Sequence, residues 1–365
     1  MIKIKVLSFY LLSFFIFLSG ILFFDFIVSN TIIKQNHCIN YQEFFYELKK
    51  NCIGKDRFKS SFPTVSIYTD NMGLRVSKNY FKKDASKKNI LIFGDSFTFG
   101  VGLENEDTYP SLIEKKLSNF NVYNYGVGSY SPTVHLFKLK KAIANGVAPD
   151  KILLFLDLTD VIDEATRWNY DQKNEKPFLT NSIIYDKNKK KYFKSKNFKL
   201  LKEFSSVLNF NTRIIRSKIK NSFKKTSKSH NVKQSIQGSF TYVNKNNLDK
   251  RFWKENDFDL GIKKIKTNFE EIINISKKNN SDLYLIIYPW AETVEFGQNE
   301  FSWSNFGKEL CLKESCVLID AIPDFVKYKK NNKNWINQLY FVNDEHFNAQ
   351  GAKLLSDIVI KKLNK

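Results

Sequence analysis

The sequence predicts an α/β protein whose core is a doubly wound parallel sheet. Short apolar and β-branched runs alternate with helix-period patterns from residue 89 to the C-terminus, which is typical of βαβ units. Several of these runs are apolar throughout rather than at every second position, as strands are when helices cover both faces of a sheet. Hydrophobic residues make up 42% of the 365-residue chain, which is enough to form a large core.

The first strand-turn-helix unit carries the strongest local signals. Residues 89–93 indicate a strand that ends in Gly-Asp-Ser, and a helix is expected at 109–117 after the start signals Thr108 and Pro110. The same alternation continues to the end of the chain. Further strands are expected at 121–126, 151–158, 282–288 and 316–320, and further helices at 132–145, 262–278, 301–312 and 349–363.

The α/β pattern has a leading segment before it and an interruption within it. We expect a main domain at 86–365, preceded by a leading segment at 29–85 with a short helix near 41–50. Between about 168 and 255 the alternation fails, and the chain becomes rich in lysine. That stretch is predicted to be a helical insertion over the sheet rather than an independent domain.

The N-terminus carries a membrane-targeting signal. Lys3 and Lys5 precede an uncharged run at 6–24, which Asp25 ends. As a helix this run would reach about 28 Å, close to the thickness of a bilayer core. A cleaved signal peptide has a shorter apolar region and a small-residue cleavage site. We therefore predict an uncleaved single-pass anchor at 1–28 in the cytoplasmic (inner) membrane, with the remaining chain outside that membrane.

The net charge of +21 does not by itself indicate a nucleic-acid-binding protein. The 58 lysines and arginines are spread along the chain, and no recognised nucleic-acid motif gathers them on one element. Attraction to anionic lipid or acidic polysaccharide fits this distribution better. We expect no nucleic-acid partner.

The four cysteines form two pairs that are close in sequence. Cys38 and Cys52 flank one short segment, and Cys311 and Cys316 flank another. Neither pair has the spacing of a zinc site, so disulfides are expected in the oxidising compartment that the anchor implies. Four free thiols in a cytoplasmic protein are the alternative.

Ser96 is the leading candidate nucleophile. In an open parallel sheet the ligand site lies at the carboxyl ends of the strands, and Ser96 directly follows the strand at 89–93. A serine there would have its amide near a helix N-terminus, where backbone N–H groups stabilise an oxyanion. The alternative is that Asp95 or Ser96 merely caps a helix.

A serine hydroxyl needs a base, and His346 is the best candidate among the four histidines. It lies in a loop before the C-terminal helix, and Asp344 is close enough in sequence to orient its imidazole. An incidental surface histidine is the alternative. The other three lie beside the anchor, within a helical pattern and within the lysine-rich stretch: His37, His135 and His230.

Two further groups follow predicted strands on the same edge of the sheet. Tyr288 and Trp290 are candidates for an aromatic surface that contacts substrate, with core packing as the alternative. Four acidic residues cluster after the strand at 151–158, but with no histidine among them and no EF-hand spacing we predict no metal. They are Asp157, Asp160, Asp163 and Glu164.

Three ordered blocks resemble those of the SGNH/GDSL hydrolase superfamily: NILIFGDSFTFG, NYGVGSYSP and NDEHFNAQG. The similarity extends from about residue 68 to the C-terminus, and TDNMGLR also resembles membrane-anchored cell-envelope members. The resemblance implies a flavodoxin-like three-layer fold and no cofactor. It also implies that Ser96 is the nucleophile, with His346 and Asp344 as base and acid.

The resemblance further implies an oxyanion hole formed by the backbone of Ser129, or alternatively Gly128, and by Thr159. Thr159 stands where the family has an asparagine, in a block that continues to Asp160, a candidate substrate-binding residue. Asp344 and His346 are also two apart, whereas three is usual. The expected function is acyl-ester hydrolysis or O-acyl transfer on a cell-envelope glycan, with acetyl as the expected acyl group. The alternative is a catalytically weakened protein that binds glycan during surface-polysaccharide assembly.

Overall fold

The computed structural model describes residues 2–31, 38–41, 45–58, 62–79, 83–179, 257–298, 301–312, 315–342 and 344–364. The chain divides into two compact units. One comprises 1–36 and 181–229, and within it helix α1 (Ile2–Thr31) is described. The other comprises 37–180 and 230–365 and contains every predicted catalytic residue.

A five-stranded, wholly parallel sheet forms the centre of the larger unit, which confirms the predicted fold class. Its spatial order is β12-β11-β8-β6-β7, so the chain starts near the middle, moves to one edge and then returns to build the other side. The strands are β6 (Lys88–Phe93), β7 (Phe120–Asn124), β8 (Lys151–Leu156), β11 (Asp282–Ile287) and β12 (Val317–Asp320).

Helices cover both faces of this sheet, and two apolar cores lie between them and the strands. The predicted helices are present with ends shifted by a few residues: α3 (Tyr109–Lys116), α4 (Pro132–Ala144), α6 (Asp257–Lys278), α8 (Trp303–Leu310) and α11 (Ala349–Leu363). Among the described residues, five helices were not predicted: α2 (Ser96–Phe99), α5 (Leu158–Thr166), α7 (Ala291–Phe296), α9 (Ile322–Asn331) and α10 (Trp335–Leu339).

The strand order determines where a site can form. The chain departs from β6 toward β7 and comes back to β8, so connections leave neighbouring strands β6 and β8 in opposite directions. A crevice opens at such a switch point, outside the carboxyl ends of the strands. Ser96 follows β6 and Thr159 follows β8, so both lie at this crevice.

The leading segment is built from strands, so the predicted helix near 41–50 is wrong. Strands β1 (Ile39–Tyr41) and β2 (Tyr46–Leu48) form an antiparallel hairpin. A three-stranded antiparallel sheet follows, of β3 (Ile53–Asp56), β4 (Val65–Thr69) and β5 (Arg75–Val76). Local helix propensity was overridden because Phe45 and Leu48 pack into an apolar cluster with Tyr130 and Trp168.

The predicted helical insertion also begins differently. Strands β9 (Trp168–Asp171) and β10 (Lys176–Leu179) form an antiparallel hairpin, and the rest of the insertion, 180–256, lies outside the described residues. Over the described residues, no helix is both long and apolar enough to cross a membrane. The anchor at 1–28 remains a prediction.

Both cysteine pairs are joined in the structure. The Cα atoms of Cys38 and Cys52 are 5.7 Å apart, and those of Cys311 and Cys316 are 4.9 Å apart. The first disulfide links the β1–β2 hairpin to the residue before β3. It therefore ties together the two small antiparallel sheets of the leading segment.

Candidate active site

Ser96 begins a one-turn helix at the end of strand β6. Asp95 caps this helix, accepting the Phe97 N–H at 2.9 Å, and Gly100 ends it with φ of 81°. A Cβ on Gly94 would lie 1.9 Å from the Thr98 hydroxyl, so only glycine allows this tight turn. Among the described residues, the Ser96 N–H meets no hydrogen-bond acceptor, and it remains able to bind a ligand oxygen.

His346 is positioned by a folded loop before helix α11. Its carbonyl accepts the Phe341 N–H at 2.9 Å, and Tyr340 bridges to Phe347 on either side of the loop. The His346 N–H donates to Asp344 Oδ1 at 3.1 Å. This backbone contact places the carboxylate against the imidazole although only one residue separates the two.

The three predicted catalytic side chains meet in one chain of contacts. His346 Nε2 lies 2.8 Å from Ser96 Oγ, and His346 Nδ1 lies 2.5 Å from Asp344 Oδ1. Asp344 and His346 are buried, with 8% and 3% exposed. This arrangement can remove a proton from the serine and stabilise the imidazolium that results.

The surroundings of His346 keep its charged form accessible. Burial by itself lowers the pKa of His346, but the hydrogen bond and charge of Asp344, with Glu345 and Asp95 adding to them, raise that pKa above the ordinary 6.5 of histidine. A raised pKa favours proton uptake by Nε2 when Ser96 attacks.

The loop after β7 lies directly against the nucleophile. A Cβ on Gly128 would be 3.8 Å from Ser96 Cβ, whereas Ser129 has a left-handed φ of 58°. The Gly128 and Ser129 N–H groups meet no acceptor among the described residues. Of the two predicted oxyanion donors, Gly128 therefore lies beside Ser96, and Ser129 follows it directly in the chain.

Three hydrogen bonds from aromatic side chains hold this loop. Two are donated to loop carbonyl groups, and the third is donated by the loop's own Tyr130. Tyr46 donates to the Gly128 carbonyl at 2.7 Å, and Trp168 Nε1 donates to the Ser129 carbonyl at 2.6 Å. The Tyr130 hydroxyl in turn donates to the Tyr46 carbonyl at 2.6 Å. The β1–β2 hairpin therefore holds the loop that faces the nucleophile, a role for the leading segment that sequence reasoning missed.

The Thr159 hydroxyl is hydrogen-bonded to carboxyl groups of the protein. Its hydroxyl is 2.5 Å from Asp157 Oδ1 and 3.2 Å from Asp95 Oδ2, and its N–H donates to Asp157 at 2.7 Å. A hydroxyl carries one proton, and the shorter contact is the one to Asp157. The structure thus gives Thr159 a different contact from the oxyanion donation that the sequence resemblance implied.

Asp95 and Asp157, the two carboxyls in contact with Thr159, belong to one buried network. Asp157 also accepts a hydrogen bond from Trp290 Nε1 at 2.8 Å. Burial first, and then the nearby charge of Asp157, raise the pKa of Asp95. Asp95 Oδ2 is 3.4 Å from Ser96 Oγ, so the charge state of this carboxyl changes the electrostatic surroundings of the nucleophile.

The residues predicted to contact substrate are buried in this network. Tyr288 and Trp290 are 3% and 4% exposed, and the Tyr288 hydroxyl donates to Asp95 at 3.2 Å. Asp160 is 1% exposed and accepts the Asp157 N–H at 2.8 Å in a capping box that starts helix α5. In the structure all three are internal supports of the site, and their contact with substrate stays a prediction.

The same capping box explains much of the acidic cluster. Asp157 and Asp160 have the three-residue spacing that marks a helix start, a signal in the sequence that could have located α5. Asp163 pairs with Arg167 at 2.8 Å, and Glu164 accepts hydrogen bonds from Ser131 and Thr133. These acids hold α5 in place beside the nucleophile.

His135 is part of the core, as its helical pattern indicated. It is 1% exposed, and burial lowers its pKa to about 3, so it is neutral. His37 and His230 lie outside the described residues. Within the described part of the chain, the one acid-and-histidine group compact enough for a metal ion is Asp344, Glu345 and His346. His346 there already contacts Asp344 and Ser96 through its two ring nitrogens.

Aromatic rings around His346 were also missed. The ring centroids of Phe97 and Phe58 lie 4.7 Å and 5.3 Å from the centroid of the imidazole. Phe97 follows the serine, so its proximity could have been expected, but Phe58 comes from the leading segment. No local signal in the sequence indicates that Phe58 reaches the site.

No protein-family model matches this sequence, and no curated protein matches it. Solved structures to which the chain is similar include the acetyl xylan esterase AlAXEase, at 16% identity and TM-score 0.41, covering 75% of this chain and 99% of that one. Another is a G-D-S-L family lipolytic protein from Desulfitobacterium hafniense DCB-2, at 14% and 0.38, covering 75% and 99%. A third is a catalytic mutant of the acetylxylan esterase Axe2 from Geobacillus stearothermophilus, at 11% and 0.39, covering 77% and 96%.

Proposed function

We propose that this protein is a serine-dependent acyl-ester hydrolase or O-acyltransferase. The observation that carries the proposal is the contact between Ser96 Oγ and His346 Nε2 at 2.8 Å, across 250 positions of sequence. Asp344 supports the far side of the imidazole at 2.5 Å. Nucleophile, base and orienting acid within hydrogen-bonding distance are the arrangement that serine acyl transfer needs.

The proposed reaction begins when Ser96 Oγ attacks the acyl carbonyl while His346 Nε2 takes its proton. The carbonyl oxygen becomes an oxyanion, and the N–H groups of Ser96 and Gly128, with Ser129 as the alternative, bind it. His346 then gives the proton to the leaving alcohol as the carbon–oxygen bond breaks. Water or another alcohol attacks the acyl-serine in a second, mirrored step and releases the acyl group.

Within that class we propose acetyl transfer or removal on a cell-envelope glycan. The support is the resemblance of the three sequence blocks and TDNMGLR to envelope members of the SGNH/GDSL superfamily. The competing candidate is a catalytically weakened glycan-binding protein. The engagement of the Thr159 hydroxyl with Asp157 favours that candidate, because losing one oxyanion donor costs about 100-fold to 1000-fold in rate.

Turnover of a chromogenic acetyl ester, together with labelling by a fluorophosphonate, separates the two candidates. We expect the wild type to turn over the ester and to be labelled at Ser96, and Ser96→Ala to lose both. Ser118→Ala, an exposed serine outside the site, is the matched control and should behave as the wild type. A folded wild type with no turnover of any ester and no label at Ser96 contradicts the enzyme proposal.

The proposed location is the outer side of the cytoplasmic membrane, with residues 1–28 as the anchor. A reporter that is active only outside the cytoplasm, fused after residue 60, should be active, and a cytoplasmic reporter fused there should be inactive. The reverse pattern would contradict the location. Blocking free thiols before reduction should leave all four cysteines unmodified in protein taken from its own compartment.

A further inference from the structure

Phe58 is an aromatic side chain that lies beside the catalytic base and is still open to solvent. Its side chain is 45% exposed, although its ring centroid is only 5.3 Å from that of His346. Ligand sites combine aromatic and apolar side chains with a few precisely placed polar groups, and Phe58 beside His346 fits that pattern.

The placement of Phe58 is fixed by the residues beneath it. Its ring lies edge-on to Phe62 at 5.6 Å, and Phe62 packs on Phe341 at 4.3 Å. Phe62 is 3% exposed, so this support is buried. The position of the Phe58 ring is therefore set before any ligand arrives.

The hairpin that carries Phe58 is closed at its base. Strands β3 and β4 pair up to Asp56 and Val65, and Arg57 Nε donates to Thr64 Oγ1 at 2.9 Å just beyond them. The N–H of Ser66, on β4, donates to the Glu104 carboxylate at 3.0 Å. Phe58 therefore extends from an anchored hairpin rather than from a free end of the chain.

The reaction chemistry assigns one part of the substrate to this side of the nucleophile. His346 Nε2 must deliver its proton to the leaving oxygen, so the alcohol of the ester departs beside the imidazole. An accepting alcohol enters by the same path. The acyl oxygen instead points toward Gly128, which is on the loop after β7.

We propose that Phe58 forms the alcohol subsite, where its exposed ring stacks on the apolar C–H face of a sugar ring that bears the ester. This inference rests on the proposed acyl-ester function and adds the chemical class of the alcohol. A flat aromatic ring offers a large apolar area at little cost in side-chain order. Small alcohols such as methanol are too short to reach it.

The test uses the full chain and two series of esters. One series keeps the acetyl group and enlarges the alcohol part of the ester from methanol to phenol to a methyl pyranoside. The other keeps methanol and lengthens the acyl group from acetate to hexanoate. Phe58→Ala should raise KM about tenfold for the sugar ester, from the lost apolar contact. Its kcat should be unchanged, because Phe58 touches no reacting atom and binds ground and transition states alike.

Phe58→Tyr keeps the ring and should restore KM, and Ile53→Ala is the matched control. Ile53 is an apolar residue of the same hairpin, 70% exposed. An effect of Phe58→Ala that is equal for all alcohols indicates a merely structural role and overturns the inference. An effect that grows with the acyl chain overturns it as well, because Phe58 would then line the acyl side.

A binding measurement keeps this test separate from the fate of the proposed function. The unesterified methyl pyranoside is the released alcohol, so its binding by calorimetry requires no turnover. We expect about tenfold weaker binding for Phe58→Ala than for Ile53→Ala. Equal binding by the two variants contradicts the subsite, whereas a wild type that binds the sugar but cleaves no ester contradicts only the acyl-ester function.

Discussion

The two sides of the nucleophile are built on different principles. On one side, the His346 imidazole links the Ser96 hydroxyl to the Asp344 carboxylate, at 2.8 and 2.5 Å. On the other, the single hydroxyl of Thr159 serves two carboxyls, Asp157 at 2.5 Å and Asp95 at 3.2 Å. The first side has the serine, histidine and carboxylate that general base catalysis needs. On the second side, the hydroxyl that was expected to donate to an oxyanion is hydrogen-bonded to a carboxylate instead.

From this difference we expect base activation and oxyanion stabilisation to be separable within one site. A threonine hydroxyl has a single proton, so it cannot serve Asp157 and an oxyanion at the same time. In the proposed reaction the oxyanion then depends on backbone N–H groups alone, and Tyr46 and Trp168 hold the loop that carries those of Gly128 and Ser129. Variants on each side should therefore fail in different ways.

The largest expected effect is on the base side. Ser96→Ala and His346→Ala should each lower kcat by about 10⁶-fold, and the double variant should be hardly worse, because residues that act as a unit are not additive. Steady-state kinetics on an acetyl ester measures this. Double-variant losses equal to the product of the single losses would show that Ser96 and His346 act independently.

Asp344→Asn should be severe but smaller, at about 10⁴-fold in kcat. It should also shift the pH profile. The base must be neutral, so activity is lost as pH falls through the pKa of His346, which Asp344 raises despite burial. Without that charge the pKa falls, and the acidic limit of kcat/KM should move to lower pH. A limit that stays in place would remove Asp344 from its assigned role.

Thr159 tests the oxyanion side. Thr159→Asn should raise kcat by up to about 100-fold with KM nearly unchanged, because an amide can supply the donor that the threonine lacks. Thr159→Val should cost less than about tenfold in kcat, but should lower the free energy of unfolding by about 1–3 kcal/mol, since Asp157 loses a buried partner. A loss of 100-fold or more in Thr159→Val would show that the hydroxyl is an oxyanion donor after all.

The smallest effect concerns stability at alkaline pH. Burial first, and then the charges of Asp157 and Asp95, raise the pKa of Asp160 well above its ordinary range. A carboxyl with a raised folded-state pKa stabilises the fold at low pH, and that contribution is lost as pH rises toward the folded-state value. The difference in melting temperature between Asp160→Asn and the wild type should therefore be a few degrees more favourable to the variant at pH 9 than at pH 5.

Asp357→Asn is the control for that measurement. Asp357 is exposed and pairs with Lys353 at 2.6 Å on the surface of α11. Its replacement should leave the pH dependence of the melting temperature unchanged. An Asp160→Asn profile parallel to the wild type would contradict the buried, protonated state of Asp160.

The parallel sheet was predictable because its signals are local and repeated. Strands β6, β8 and β11 each contain a continuous apolar run, and helices such as α3 begin at a recognisable cap, with Thr108 and a proline in the first turn. The leading segment was not predictable in this way. There, Phe45 and Leu48 are buried in a cluster that includes Tyr130 and Trp168, at least 82 positions away, and no local pattern shows such a partner.

By itself, the sequence determined the sheet, the edge at which a ligand site can form, and the identity of Ser96, His346 and Asp344 as the groups with suitable chemistry. These follow from residue type and spacing along the chain. The commitment of Thr159 to Asp157, the burial of Tyr288 and Trp290, and the arrival of Phe58 beside His346 were decided only by the tertiary structure. The physical reason is that hydrogen-bond partners and exposed faces depend on distances across the chain, and packing sets those distances.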